Sequence, residues 1–149
     1  MLLLTLMDLS YIVSLETEDW FMEMTIGMTG KVSTLAQRED TAYEVGSGSL
    51  LVYATPCMVA LMEGAACEAI AEALPDEKTT VGIELAISHI SATPVGMEVY
   101  AQAELTEIEK NILTFQVTAF DESGKIGEGT HKRAIVTAQR FLDKTYEKL

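Results

Sequence analysis

ATPCMVALMEGAACEAIAEAL, residues 54–74, decides the fold, because it is a long and mostly apolar segment with the composition of a helix. Thr55 is a good N-cap and Pro56 suits the first helical position, so we expect the helix to begin here. The sequence LPDEK at residues 74–78 ends it. A helix that is apolar over most of its surface must be buried against other elements.

Four segments with alternating apolar residues follow the helix, and this period is typical of strands. They are TTVGIELAISHIS, GMEVYAQAELTEIE, NILTFQVTAFD and KIGEGTHKRAIVTA. The short turns between them favour antiparallel neighbours, and residues 28–45 are expected to hold a further strand. We therefore predict an α+β fold in which a sheet of about five strands curls around the helix.

The alternation also predicts which side chains face the helix. In the first segment Val81, Ile83, Leu85, Ile87 and His89 share one face. In the next two segments the predicted inward residues are Met97, Val99, Ala101, Ala103 and Leu105, followed by Leu113, Phe115, Val117 and Ala119.

Length, charge and cysteine content restrict the class of protein. The 149 residues suit one domain with a real core, and a formal net charge of −13 repels phosphate backbones, so nucleic acid is not an expected partner. Cys57 and Cys67 are ten residues apart on the predicted helix, about 15 Å along its axis, which is too far for a disulfide. We expect two reduced thiols, a cytoplasmic chain and no metal site.

The apolar N-terminus, MLLLTLMDLSYIVS, has no basic segment before it and is too short to span a bilayer, which takes about 20 residues. No membrane partner is therefore expected. We treat residues 1–24 as an extension of uncertain order and residues 25–149 as a single domain.

Glu63 and His89 are polar residues on otherwise apolar faces. Helical periodicity puts Glu63 in the middle of the apolar stripe, whereas Glu68 and Glu72 define the solvated side. Burying an isolated carboxylate is costly, so a partner is expected. A carboxylate and an imidazole in one apolar region can share a proton near neutral pH. The alternatives are a structural ion pair or a dimer seam lined by Glu63.

Four further residues carry weaker hypotheses. Thr55 is either an ordinary N-cap or a catalytic hydroxyl beside Glu63 and His89. His131 is expected on an exposed strand. Lys132 and Arg133, an adjacent basic pair in an acidic chain, either meet an anionic ligand or lie at a solvated edge.

Three of these segments, TPCMVALMEGAA, ISHISATPVGMEV and GEGTHKRAIV, resemble the fluoroacetyl-CoA thioesterase-like family of hotdog-fold enzymes. The resemblance covers roughly residues 25–140. In that family a Thr precedes the helix, a Glu follows eight residues later, and a His is followed by a Gly in a TPVG-like turn. Thr55, Glu63, His89 and Gly96 occupy those places.

The resemblance implies a homodimeric acyl-CoA thioesterase without a cofactor, acting on a short-chain or substituted acyl group. Thr55, Glu63 and His89 would be catalytic. Glu63 would be the nucleophile or a general base on water, His89 would relay the proton or stabilise charge, and Thr55 would hold the acyl group or be the alternative nucleophile. Gly96 and Pro56 would contact the substrate.

Lys132 and Arg133 are assigned to the CoA phosphates. Two other functions stay open, an acyl-CoA hydratase and a non-catalytic hotdog protein that binds acyl-CoA or another small ligand. Release of free thiol distinguishes the thioesterase from both.

Overall fold

The computed structural model describes residues 24–149. The predicted N-terminal extension therefore lies outside the described residues except for Met24, which is buried in the core. No helix within residues 24–149 combines the length and the apolar composition needed to cross a membrane.

Five strands and three α-helices make up the described chain. In chain order they are β1 (Thr29–Leu35), α1 (Ala42–Val45), α2 (Thr55–Ile70), β2 (Lys78–His89), β3 (Glu98–Glu109), β4 (Ile112–Asp121), β5 (Gly124–Thr137) and α3 (Ala138–Tyr146). Single turns of 3-10 helix lie at Arg38–Asp40 and Ala71–Ala73. The predicted long helix and its four following strands are confirmed.

The strands form one antiparallel sheet in the order β1-β3-β4-β5-β2. Helix α2 packs mainly on β1 and β3. A curved antiparallel sheet around a long central helix is the hotdog architecture, so the predicted fold class is confirmed. The arrangement leaves β2, a strand of 12 residues, at one edge of the sheet.

Helix and sheet approach each other most closely at Gly30 on β1. A Cβ atom at this position would collide with the backbone of Ala65 and Ala69 on α2. Glycine is therefore required here because the helix backbone lies directly on the strand.

The inward faces of β3 and β4 form the main part of the core, as the alternation predicts. The side chains that are at most 2% exposed on these strands are Val99, Ala101, Ala103, Leu105, Leu113, Phe115, Val117 and Ala119. From α2 the core receives Met58, Met62, Ala65, Ala66 and Ile70.

The predicted face of β2 is wrong in its first half. The pairing of β2 with β5 shifts between Gly82 and Glu84, so Ile83 is the extra residue of a β-bulge. Because a bulge reverses the alternation, Val81 does not share a face with Leu85, and Ile83 is 52% exposed.

Two details predicted for α2 are also wrong. The N-cap is Ala54, and Thr55 is the first helical residue. Glu63 is not in the middle of the buried face but at its edge, with a side chain that is 37% exposed. The apolar residues of α2 cover a wider arc of the helix than the buried residues do, since Val59 and Leu61 are only half-buried. The centre of the apolar stripe is therefore not the centre of the buried face.

Candidate active site

Thr55 and His89 meet at the N-terminal end of α2. Thr55 starts the helix, and His89 is the last residue of β2. The Thr55 Oγ1 atom lies 2.8 Å from Nδ1 of His89, which is a short hydrogen bond. The hydroxyl predicted to cap the helix therefore binds the imidazole instead.

The His89 ring is in a protonation state suited to accepting a proton. Burial lowers the pKa of His89 below its usual value of 6.5, and the backbone of Ser91 opposes this shift in part. The ring is therefore neutral at pH 7, with one bare nitrogen. If that nitrogen is Nδ1, the Thr55 hydroxyl donates to it, as a base that activates a hydroxyl requires. The other nitrogen, Nε2, is buried and has no hydrogen-bond partner within residues 24–149.

A cavity of about 330 Å³ opens beside this pair. Thr55 and His89 line it together with Ala42, Ser47, Val52, Tyr53, Ile90, Ser91 and Ala92. Two predicted substrate-binding residues, Pro56 and Gly96, are not in its lining. Gly96 instead has a φ of 95° in the turn before β3, a conformation that favours glycine.

Glu63 belongs to a second polar cluster, in the middle of α2. Its Oε2 atom accepts a hydrogen bond of 2.7 Å from Arg133 Nη1 and lies 3.4 Å from Nε2 of His131. The eight residues between Thr55 and Glu63 correspond to about 12 Å along the helix axis. Within one chain the structure therefore brings Thr55 to His89 but places Glu63 elsewhere.

Arg133 is buried, and all three guanidinium nitrogens form hydrogen bonds within the chain. Besides Glu63, it donates to Oγ1 of Thr80 at 2.8 Å and to the Thr80 carbonyl at 3.0 Å. The two bonds to Thr80 fix the guanidinium, so its one bond to Glu63 holds the carboxylate in place. The expectation that Arg133 lies at a solvated edge is wrong, because only 7% of the residue is exposed.

His131 is 1% exposed, so the prediction of an exposed strand position is wrong for this residue. Its Nδ1 lies 2.9 Å from the Glu84 carbonyl and can only donate to it, which leaves Nε2 to accept from Arg133 at 3.1 Å. Burial lowers the pKa of His131, against smaller opposing effects of the Glu84 backbone and Glu63. The neutral ring is therefore saturated with hydrogen bonds.

Gly82 on β2 allows the Glu63 carboxylate to reach the edge of the sheet. A Cβ atom at Gly82 would collide with Oε2 of Glu63. A cavity of about 220 Å³ opens there, lined by Glu63, Gly82, Ile83, Glu84, Leu85 and His131. The carboxylate is therefore presented at the exposed edge strand.

Lys132 points away from this cluster and pairs loosely with Glu84, at 3.8 Å. Binding of CoA phosphates by Lys132 and Arg133 stays a prediction. Within residues 24–149 no three His, Cys, Asp or Glu side chains lie close enough together to hold a metal ion.

Residues 36–139 match the sequence model of the family described as fluoroacetyl-CoA-specific thioesterase. The chain belongs to this family. It is 38% identical over 97 residues to the fluoroacetyl-CoA thioesterase of Streptantibioticus cattleyicolor, covering 65% of this chain and 70% of that enzyme. This thioester-hydrolase family is the one that the sequence resembles.

Solved structures of the family agree in fold. A variant of the fluoroacetyl-CoA thioesterase with fluoroacetate bound gives a TM-score of 0.79 at 30% identity, covering 85% of this chain and 99% of that one. A complex of another variant with fluoroacetate and CoA gives 0.75 at 31% identity, covering 79% and 99%. A thioesterase superfamily member from Thermus thermophilus gives 0.73 at 26% identity, covering 84% and 97%.

Sequence reasoning did not identify His131 and Arg133 as the two residues that hold Glu63. Their inward direction follows from a second bulge, where the pairing of β4 with β5 shifts and Ile126 is the extra residue. Alternation counted from Ile126 puts His131 on the outer face. Counted from Ile135, which is buried, it puts both residues inward, and this signal could have found them.

Proposed function

We propose that this chain is an acyl-CoA thioesterase whose active site is completed by two copies of the chain. The observation that carries the proposal is the 2.8 Å contact between Thr55 and His89, because it pairs a hydroxyl with a neutral base beside an open cavity. Family membership supports the reaction class, and the structure of a fluoroacetyl-CoA thioesterase variant with fluoroacetate and CoA bound supports the class of substrate.

The edge strand supplies the argument for a second copy. A strand of 12 residues with a free edge is an unusual liability in a soluble domain, and pairing with the same strand of a partner removes it. If two β2 strands pair antiparallel about an axis at Ala86, and Ile83 is again the extra residue, His89 of one chain lies opposite Gly82 of the other. Gly82 is where the Glu63 carboxylate emerges. Glu63 of the partner subunit would then face Thr55 and His89.

In the first chemical step Thr55 Oγ attacks the thioester carbonyl while His89 Nδ1 takes the hydroxyl proton. The tetrahedral intermediate collapses with loss of the CoA thiolate, which receives that proton from His89. The acyl group is then an ester of Thr55. Free backbone N–H groups at the start of α2 are suited to bind the carbonyl oxygen as negative charge develops.

In the second step Glu63 of the partner subunit removes a proton from water as the water adds to the Thr55 ester. Collapse of that intermediate releases the carboxylic acid, and Glu63 gives the proton to the departing Thr55 oxygen, which restores the hydroxyl and the Glu63 carboxylate. Glu63 is suited to this role because Arg133 fixes only its Oε2 atom, and no hydrogen bond engages its Oε1 atom within the described residues.

Cys57, two residues after Thr55, is a poor competitor for the role of nucleophile. Burial, assisted by the charge of Asp40, raises the pKa of the Cys57 thiol. The reactive thiolate is therefore scarce at neutral pH.

The cavity of about 330 Å³ is at the small end of ligand pockets. We propose that it takes a short or substituted acyl group together with the start of the pantetheine arm. Lys132, 40% exposed, is the remaining candidate for a CoA phosphate.

The test is an assay of free-thiol release from acyl-CoAs of increasing length, combined with intact-mass measurement of Glu63→Gln incubated with acetyl-CoA. We expect thiol release by the wild type and an acyl adduct on Thr55 in Glu63→Gln, because deacylation is blocked. Thiol release without any acyl adduct would contradict the ester route and indicate direct attack of water on the thioester. Tight acyl-CoA binding without thiol release by the wild type would favour the non-catalytic binding protein.

A further inference from the structure

Residues 90–96, which lie between His89 and β3, connect both halves of the Thr55–His89 pair. The first residue of this segment, Ile90, donates its backbone N–H to the Ile126 carbonyl at 2.7 Å. Further along, Pro94 forms an isolated β-bridge with Val52, three residues before Thr55. The segment therefore connects the end of β2 to the entry of α2.

Thr93 is the centre of this connection. Its carbonyl accepts the backbone N–H of Tyr53 at 2.9 Å, which fixes the chain two residues before Thr55. Its hydroxyl donates to Oδ2 of Asp121 at 2.7 Å. Thr93 is 0% exposed, so neither bond is in competition with water.

Asp121 anchors Thr93 to the sheet. It is the last residue of β4 and is 8% exposed. Its second oxygen, Oδ1, accepts the backbone N–H of Ser123 at 2.8 Å in the turn to β5. One buried carboxylate thus holds the β4–β5 turn with one oxygen and residues 90–96 with the other. Because both bonds go to one buried side chain, they tie the two segments to each other at the end of β4.

We infer that Thr93 and Asp121 are positioning residues for the reaction, because they set the separation of Thr55 from His89. Neither residue lines the cavity. They act through the Tyr53 backbone on one side and through the segment after His89 on the other. The inference rests on the proposed function, in which that separation allows proton transfer.

The decisive variant is Thr93→Val, which keeps the shape of the side chain and removes its hydroxyl. Misplacement of reacting groups by about 1 Å lowers a rate by about 100-fold, so we expect kcat to fall by about 10- to 100-fold. KM should change by less than about threefold, because the substitution replaces no side chain that lines the cavity. Thr93→Ser retains the hydroxyl and should restore kcat to within about threefold of the wild type.

The matched control is Leu105→Ala, a truncation of a 0% exposed side chain on β3. It should lower the thermal midpoint at least as much as Thr93→Val does and leave kcat unchanged below that midpoint. Equal losses of kcat in both variants would overturn the inference, because stability alone would then account for the loss. So would a Thr93→Val enzyme that keeps wild-type kcat.

A second measurement does not depend on activity. The chain has only two histidines, so nitrogen-15 spectra at pH 8 can be assigned to His89 and His131. Thr93→Val should shift the His89 Nδ1 resonance and leave those of His131 in place, whereas unchanged His89 resonances would overturn the inference. Should Thr93→Val fail to fold, Asp121→Asn is measured under the same criteria. Absence of thiol release in the wild type would refute the proposed function and leave this spectroscopic test standing.

Discussion

The two histidines of the chain have opposite surroundings. His131 lies in the middle of the sheet, is 1% exposed, and has both ring nitrogens engaged by Glu84 and Arg133. His89 lies at the end of an edge strand, beside a cavity. One ring nitrogen contacts Thr55, and the other has no partner among the residues that the structure describes. Burial lowers the pKa of both, yet only His89 contacts a hydroxyl that lines an open cavity.

We propose that this contrast separates a holding cluster from a reacting pair. The holding cluster, made of Thr80, His131 and Arg133, fixes the Glu63 carboxylate at the sheet edge. The reacting pair, Thr55 and His89, has a cavity but no carboxylate of its own within 24–149. The pair and the cluster each supply what the other lacks. This is why we propose that two copies of the chain complete each site.

The largest effect is expected for Glu63→Gln, which keeps the shape and removes the base. General-base catalysis contributes typically about 100- to 10,000-fold, so thiol release in the steady state should fall by a factor in that range. The control is Glu68→Gln, an exposed acid on the same helix, which should behave as the wild type. Unchanged turnover in Glu63→Gln would show that Glu63 and its partners have only a structural role.

The next effect concerns His89 and pH. In the proposed mechanism His89 acts as a neutral ring, and burial lowers its pKa below 6.5, so activity should be constant above that pH and fall as the pH drops through the folded pKa. His89→Asn should lose about 100-fold in kcat/KM and also lose this acid limb. An acid limb that persists in His89→Asn would show that the essential base is a residue other than His89.

For the pH experiment the control is His131→Gln. His131 also has a lowered pKa, so its protonation opposes folding: the unfolded chain binds more protons below pH 6.5, and stability falls as the pH decreases. His131→Gln should weaken that dependence of stability on pH while the acid limb of activity remains. This outcome separates the two histidines by role.

A smaller effect is expected when the holding cluster is loosened. Arg133→Lys keeps the charge and loses the fork that binds Glu63 and Thr80 together. We expect the free energy of unfolding to decrease by about 1–3 kcal/mol, as for a buried polar group left without a partner, and kcat to fall about tenfold. Urea unfolding and the thiol assay measure both. A variant with wild-type stability would show that the network does not hold Glu63.

The smallest effect is expected for Lys132→Gln. Exposed ion contacts contribute about 0.2–1 kcal/mol, so KM for an acyl-CoA should rise by less than about fivefold, with kcat unchanged. An acyl thioester of N-acetylcysteamine lacks the phosphates and should show no change. An equal rise for both substrates would exclude a phosphate contact.

The sequence predicted the fold because its central parts obey simple periods. On β3 and β4, Val99 through Leu105 and Leu113 through Ala119 alternate without interruption toward the core, and α2 is too apolar to be exposed. Bulges interrupt that alternation on β2 and β5, at Ile83 and Ile126. Nothing in the residue types at these positions distinguishes a bulge from a regular strand, so the environments of Val81 and His131 were mispredicted.

The candidate site was only partly predictable for a similar reason. Thr55 and His89 stand out by position, at the start of a helix and on an apolar strand face. Glu63 stands out as well, but its partner depends on which strand passes the middle of α2. The strand order decides this, because β5 lies between β4 and the edge strand β2, and local sequence does not reveal that order.

The most direct test of the two-copy site is subunit complementation. Chains carrying Thr55→Ala and Glu63→Gln are co-expressed with different tags, and the mixed dimer is isolated by purification on both. If the site uses Glu63 of the partner subunit, one of the two sites in the mixed dimer is intact, so thiol release should recover to roughly half of the wild-type rate per dimer. A mixed dimer as inactive as its two parents, or a chain that forms no dimer, would contradict the account.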